Sequence, residues 1–335
     1  MNMNLIGQVA PVVIQEATKY ISKRTTTPAS ELATFASDND TSSIRRLLEK
    51  DPDINRGPGL IAAASAGNLA ALDLLLEPPT QPKHSRHHHK PVKIDLDVWS
   101  SGTTPLLAAV RNKHVKTTKY LLEEGADSDL CPKSGITALQ EASQAGDIDI
   151  VRVLLLYGAN VNHPDHCGDT PLIVASRWGH AKTARCLLQN SARINECNDK
   201  GSTPLSVAAR HDYEDVIEEL LDPRWEGSGG KGTKINVNRR DKKGRTALHR
   251  AVEGIWLLDG VRSERKEEVV RILLQAGADP KVRDKDGKTP ADRVGWLTGG
   301  EELRRLLSAG DMGKKPVKSN SSRPRPGTHS RSNTF

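Results

Sequence analysis

The sequence predicts an all-α solenoid of stacked helix-turn-helix units, and three observations lead there. A short phrase recurs in phase: GTTPLLA from Gly102, GITALQE from Gly135, GDTPLIV from Gly168, GSTPLSV from Gly201, GRTALHR from Gly244 and GKTPADR from Gly287. Its spacing is 33 residues over the first three steps and 43 over the last two, the beat of a repeat architecture rather than of one globular core. A Leu-Leu pair follows each phrase: Leu121-Leu122, Leu154-Leu155, Leu187-Leu188, Leu220-Leu221, Leu273-Leu274 and Leu306-Leu307. Aromatic residues are only 3% of the chain, so the apolar interior must be built from Leu, Ala, Val and Ile. The 335 residues exceed an ordinary single domain, but a solenoid has no such ceiling because each unit packs only on its neighbours.

Each part of the phrase has a physical task. The glycines suit a turn with positive φ. Thr104, Thr137, Thr170, Thr203, Thr246 and Thr289 stand where a hydroxyl caps a helix N-terminus. Pro105, Pro171, Pro204 and Pro290 then occupy the first helical position, where no N–H is needed. Small residues such as Ala108-Ala109, Ala142, Ala175 and Ala208-Ala209 let the first helix press against its neighbours. The Leu-Leu pair marks a second helix, and Gly125, Gly158, Gly277 and Gly310 fall where a left-handed residue stops it. Asp-containing turns such as ANVNHPDHCG, ending at Gly168, join one unit to the next.

These in-phase signals resemble the ankyrin repeat family, in which a turn, a TPLH-type helix start, two antiparallel helices and a finger turn make one repeat. The resemblance covers about residues 31–310. It departs from the family pattern in places. Only Leu248-His249 keeps the Leu-His pair, Ser191 replaces a helix-stop glycine, and the unit from Gly201 runs into Asp222-Pro223-Arg224. Upstream, Leu60–Leu76 fits the template and Glu31–Asn55 fits it more loosely. About eight units are expected, near 31–55, 56–101, 102–134, 135–167, 168–200, 201–243, 244–286 and 287–310. The end units are more charged, as caps that meet water on one side should be.

Three insertions break the beat, around Glu77–Ile94, Trp225–Thr233 and Gly254–Glu264. They are expected as loops, and repeat insertions often lie on the binding face. Residues 1–30 form an N-terminal extension with a modest helical patch over Val12–Ile21 and no signal-peptide run. Asp311–Phe335 is rich in Ser, Pro, Arg and Lys and is expected to be a disordered basic tail. Its Lys314-Lys315 and Arg323-Pro324-Arg325 suit either nuclear import or an acidic contact. No stretch reaches the ~20 apolar residues of a membrane span. The expected location is cytoplasmic, with the nucleus as the alternative, and the expected state is a monomer.

The sequence offers little for catalysis or metal binding. Cys131 and Cys197 share a register two units apart, beyond disulfide reach; Cys131 could pair with Cys167 only if the fingers bent together, and a reducing compartment is the simpler expectation. His87-His88-His89 with His84 sits in a polar insertion that does not preorganise a tetrahedral site. GSGGKGT at Gly227–Thr233 lacks phosphate-loop spacing. Asp165, His166 and Cys167 lie together, but on a finger turn where the family commonly places Asp. No enzyme activity, cofactor or resident metal is expected.

What remains is recognition. The family resemblance implies a concave face built from finger tips and the exposed end of each first helix. Nine and ten residues after the repeat glycine stand Arg111-Asn112, Gln144-Ala145, Arg177-Trp178 and Arg210-His211, so three of four units place Arg in one row. The fingers add Lys133, Lys200, Lys242, Lys243 and Arg245 against Asp169 and Asp199. The expected partner-binding set is Arg111, Asn112, Gln144, Arg177, Trp178, Arg210, His211, Lys133, Lys200 and Arg245. Arg and Trp dominate many interfaces, and a row of Arg suits a carboxylate-bearing segment. The net charge of +7, from 49 basic and 42 acidic residues, is spread rather than dense, and no nucleic-acid motif appears. An acidic protein segment is therefore expected as partner, bound by an adaptor, scaffold or inhibitor. The alternatives are a targeting fragment of a larger enzyme, or nucleic-acid binding through the basic surface and tail. Trp99, Trp225, Trp256 and Trp296 have no obvious core position; they are expected either to pack inserted loops down or to touch a partner.

Overall fold

A computed structural model describes residues 27–77, 94–100, 102–132, 134–225, 234–253, 260–294 and 300–309. Among these residues the chain is all helix and turn, with helices in antiparallel pairs. The pairs are α1 Pro28–Ser37 with α2 Thr41–Lys50, α3 Gly57–Ala66 with α4 Leu69–Leu76, α5 Pro105–Arg111 with α6 Val115–Glu123, and α7 Ala138–Ala145 with α8 Ile148–Leu156. They continue as α9 Pro171–Arg177 with α10 Ala181–Gln189, α11 Pro204–Arg210 with α12 Glu214–Leu221, α13 Ala247–Val252 with α14 Gly260–Gln275, and α15 Pro290–Arg293 with α16 Gly300–Ala309. First helices stack on first helices along the whole series, and second helices form the other layer. This is the solenoid that the periodicity predicts.

The local chemistry follows the phrase. The hydroxyls of Thr104, Thr137, Thr170, Thr203 and Thr289 accept from the backbone N–H three residues on, which removes one orphan donor from each helix start. Thr246 does this differently. Its backbone N–H donates to His249 Nδ1 at 3.2 Å, and its hydroxyl meets the same nitrogen at 3.0 Å. An accepting Nδ1 leaves the ring proton on Nε2, which donates to Lys288 O at 3.1 Å. The buried imidazole is thus neutral, and desolvation holds its pKa below the ordinary value.

Helix stops follow the same logic. Gly158 has φ 86°, a region where a Cβ is strained. Ser191, at the equivalent place, adopts φ 69° without being glycine. The finger turns depend on one acceptor each. Asp165 Oδ1 accepts from Cys167 N and Asp169 N, both at 2.8 Å, and Asn198, Asp241 and Asp284 repeat the arrangement. A second ladder stitches unit to unit: Asp97, Asp129, Asn162, Asn195 and Asn238 each accept through Oδ1 from a backbone N–H of the next unit at 2.8–2.9 Å.

The core is aliphatic. Leu107, Leu121, Leu139, Leu154, Leu187 and Leu273 are fully buried. At about 25 cal/mol per Å² of apolar area, such rows supply most of the stacking free energy. Trp225 belongs to this interior as well, and in this it departs from the sequence expectation. It ends the 3₁₀ turn Pro223–Trp225, is 6% exposed, and donates Nε1–H to Glu219 O at 2.9 Å. The indole closes the C-terminal end of α12 where a glycine stop is missing, with the Arg224 guanidinium 5.5 Å from its ring centre.

Trp99 is 44% exposed and occupies a finger position that carries Pro132 in the next unit and Asp165, Asn198, Asp241 and Asp284 in the later ones. The insertion expected as a loop at Gly254–Glu264 is partly helical, since α14 begins at Gly260. α1 begins at Pro28, ahead of the boundary read from sequence. The helical patch Val12–Ile21, the polar insertion with His84 and His87–His89, Gly227–Thr233, Trp256, Trp296, Gly310 and the basic tail lie outside the described residues.

Candidate partner-binding surface

The exposed ends of the first helices and the finger turns meet on the concave side. Between the fifth and sixth helix pairs they enclose an open depression of about 460 Å³. Arg177, Arg210 and His211 enter it from the ends of α9 and α11, and Lys200 enters it from a finger. These four come from the sequence-predicted set. Trp178 ends α9 beside Arg177 and is 50% exposed.

Counter-ions separate the three arginines of the row. Arg111 bonds Glu141 Oε1 through Nε at 3.0 Å and Nη2 at 2.7 Å. Arg177 pairs with Asp169 at 2.6 Å. That carboxylate is almost fully buried and also accepts from Asn198 Nδ2 at 2.9 Å, so the guanidinium is held in place from below. Arg210 is exposed and has no carboxylate within ion-pair distance among the described residues. His211 is exposed at its edge and stacks on Tyr213, with ring centres 5.9 Å apart. Desolvation against the groove walls, then the charges of Arg210 and Arg177, hold its pKa below the ordinary imidazole value. The imidazole therefore registers both arginines.

The other predicted residues fall elsewhere. Arg111, Asn112 and Gln144 lie outside the depression, along the row toward the N-terminal units. Asn112 Nδ2 donates to Ala108 O at 2.9 Å and Ser65 Oγ at 3.1 Å, which makes it a helix end and a tie between units. Gln144 is exposed, and its carbonyl meets His180 Nε2 at 2.9 Å. Lys133 lies outside the described residues. Arg245 points inward: its side chain is 13% exposed and bonds Asp241 Oδ2 at 3.2 Å and Glu253 Oε1 at 2.5 Å. It is held within the seventh unit and not presented to a partner.

Of the cationic and imidazole side chains that line the depression, Arg250 and His166 stand outside the expected partner-binding set. Arg250 pairs with Asp241 at 2.7 Å and Glu253 at 3.0 Å. It stands six residues after its repeat glycine, on the same register as Glu141, so position six of the first helix was the signal that pointed to it. Lys266 adds a further internal tie. It is buried, donates to Asp212 Oδ1 at 3.0 Å and Ala251 O at 3.1 Å, and so anchors the residue next to His211. All four cysteines are free thiols. No group of three or more metal-ligating side chains occurs among the described residues, and no described helix is long and apolar enough to cross a membrane.

Comparison with known proteins agrees with this architecture. A family model described as ankyrin repeats (3 copies) matches residues 31–130, 60–165, 142–230 and 194–284. The chain belongs to the ankyrin repeat family. It is 36% identical over 94 residues to the ankyrin repeat protein YahD of Escherichia coli (strain K12), a match covering 28% of this chain and 39% of that relative. The chain thus spans about two-fifths of the length of the curated relative it matches. Its fold is similar to the crystal structure of the ankyrin repeat domain of Bcl-3, a member of the IkappaB protein family, with a TM-score of 0.57 and 23% identity over 74% of this chain and 97% of that one. The family and the fold support a protein–protein interaction module.

Proposed function

We propose that this chain binds an acidic segment of a protein partner along its concave face, as an adaptor, scaffold or inhibitor. On this reading the array runs as one domain over about residues 31–310, works as a monomer in the cytoplasm or nucleus, and carries no catalytic step of its own. One observation carries the proposal: Arg177, Arg210, Lys200 and His211 converge on one open depression beside an exposed Trp178. Arg177 is pre-positioned by the buried Asp169, so it loses little freedom on binding. Arg210 has no counter-ion to give up among the described residues. An exposed Trp beside Arg is the composition of a binding hot spot.

The test is an array of extended acidic, neutral and basic peptides probed with the full chain. Acidic peptides should bind, and Arg177→Glu combined with Trp178→Ala should abolish binding while the far-ultraviolet circular dichroism stays helical. Charge reversal repels an acidic ligand as well as removing a contact. Lys314→Glu with Lys315→Glu should matter much less. Loss of binding in that tail variant, with binding kept in the groove variant, would move the function from the groove to the tail.

A further inference from the structure

We propose that the depression between the fifth and sixth helix pairs is a subsite for one phosphorylated side chain of the bound segment, gripped by Arg210, Lys200 and Arg177. This deepens the acidic-segment reading and rests on it. The argument begins with which charges are already balanced. Arg250 and Arg245 share Asp241 and Glu253, so two cations meet two carboxylates. Arg177 is matched by Asp169. That leaves Arg210 and Lys200 without an ion pair, against the single exposed Asp199 on the rim. Two imidazoles, His166 and His211, also line the space. Desolvation, then the charges of Arg210 and Arg177, hold the pKa of His211 below the ordinary value.

An arriving anion meets Arg210, Lys200 and Arg177 in one space. A carboxylate brings one negative charge, which matches the excess of Arg210 and Lys200 over Asp199, and only two acceptor oxygens. A phosphoryl group brings about −1.5 to −2 and three acceptor oxygens. Three oxygens allow separate bonds to two guanidinium groups and one ammonium, and charge-assisted bonds of this kind are roughly twice as strong as neutral ones. The depression, about 460 Å³, has room for such a group with its side chain and one flanking residue. Trp178, next to Arg177 in sequence and 50% exposed, offers that neighbour an apolar surface. The opening is a concave patch between two helix ends rather than a continuous basic track, so a single anion fits it better than a polyanionic strand.

The experiment uses the full chain and a labelled peptide of uncharged residues carrying one phosphoserine, with the serine and glutamate forms as controls and a short single-stranded RNA as a further arm. Fluorescence anisotropy should show the phosphoserine form binding at least about tenfold more tightly than the glutamate form, since even one charged hydrogen bond contributes about 1.5–3 kcal/mol. Arg210→Gln should lose about tenfold or more with an unchanged thermal melt, because Arg210 holds no ion pair among the described residues. Lys200→Gln should weaken the phosphoserine form more than the glutamate form. Equal affinity for the phosphoserine and glutamate forms, both lost in Arg210→Gln, would overturn the phosphoryl subsite and leave the acidic-segment reading standing. Failure of both acidic forms to bind would overturn both readings. RNA that binds more tightly than the phosphopeptide, and is lost in Arg210→Gln, would overturn the protein source of the phosphate.

Discussion

Replacing Asp241 by Asn isolates the charge on which the seventh unit depends. The two carboxylate oxygens have separate tasks. Oδ1 accepts from Lys243 N at 2.8 Å and Arg245 N at 2.9 Å, which holds the finger turn. Oδ2 accepts from Arg250 Nη2 at 2.7 Å and Arg245 Nε at 3.2 Å. Asn keeps the first task, because Asn198 performs it at the equivalent position through bonds of 3.0 Å to Lys200 N and Ser202 N. It loses the second, and turns an amide NH₂ toward two guanidinium groups.

The Arg250 side chain is 7% exposed and that of Asp241 is 2% exposed, so water cannot replace the lost partner. Glu253 keeps its bonds to both arginines, which limits the damage. Two charge-assisted bonds at about 1.5–3 kcal/mol each, against about 3–5 kcal/mol for stranding a buried ion, place the cost at about 3 kcal/mol. Hydrogen exchange is the suitable assay, since solenoids open locally and the loss should concentrate in α13 and the units beside it. Adding Arg250→Met, which removes the stranded cation, should recover at least half of the loss. A change within about 0.5 kcal/mol in Asp241→Asn, the range of ordinary surface substitutions, would show that the charge is not what holds this unit.

Three further outcomes are expected. Leu154→Ala should destabilise the chain by about 2–5 kcal/mol, because Leu154 is fully buried in α8; an unchanged urea midpoint would refute its place in the core. Ser191→Gly should stabilise by about 0.5–1 kcal/mol, as glycine relieves the strain of φ 69° at some cost in unfolded-chain entropy, and a lower melting temperature would count against that strain. Thermal stability should fall as pH drops below the ordinary imidazole pKa near 6.5, since His211 and His249 are both held below it in the folded chain. Between their folded values and 6.5 the unfolded chain binds more protons, so acid favours unfolding. His211→Gln should flatten part of that slope, and a melt independent of pH from 7.5 to 5.5 would sink the account.

The parts of the fold that local chemistry determines were legible in the sequence. A Thr three residues before a helical N–H, a Pro at the first helical position and paired leucines act within one unit, so the residues announce them. The same holds for the placement of Arg111, Arg177 and Arg210 at the ends of first helices. Trp225 was not legible, because its environment is made by the turn after α12 rather than by any periodic position. Its neighbours in sequence are proline and a glycine-rich insertion, which suggest exposure. The ladder of Asp97, Asp129, Asn162, Asn195 and Asn238 was hidden for a related reason. Each side chain serves the backbone of the following unit, and a single repeat viewed alone shows no task for it.

The binding surface turns on the same distinction between position and partner. The ninth residue after the repeat glycine is Arg111, Gln144, Arg177, Arg210 and then Glu253 along the array. Register gives every one of them the same address, but neighbouring positions decide what each is free to do. Arg111 meets Glu141, which stands at position six of the next unit. Arg177 meets Asp169, at position one of its own unit. For Arg210, position six of the next unit is Arg250, a like charge, and position one of its own unit is Ser202, which carries none. Glu253 then ends the row with the opposite sign and is itself taken up by Arg245 and Arg250. Among these five positions Arg210 alone is a cation without a carboxylate within ion-pair distance among the described residues, and it lines the depression. Arg210 can take a carboxylate without leaving one, whereas Arg111 already gives two bonds to Glu141 and would have to exchange them.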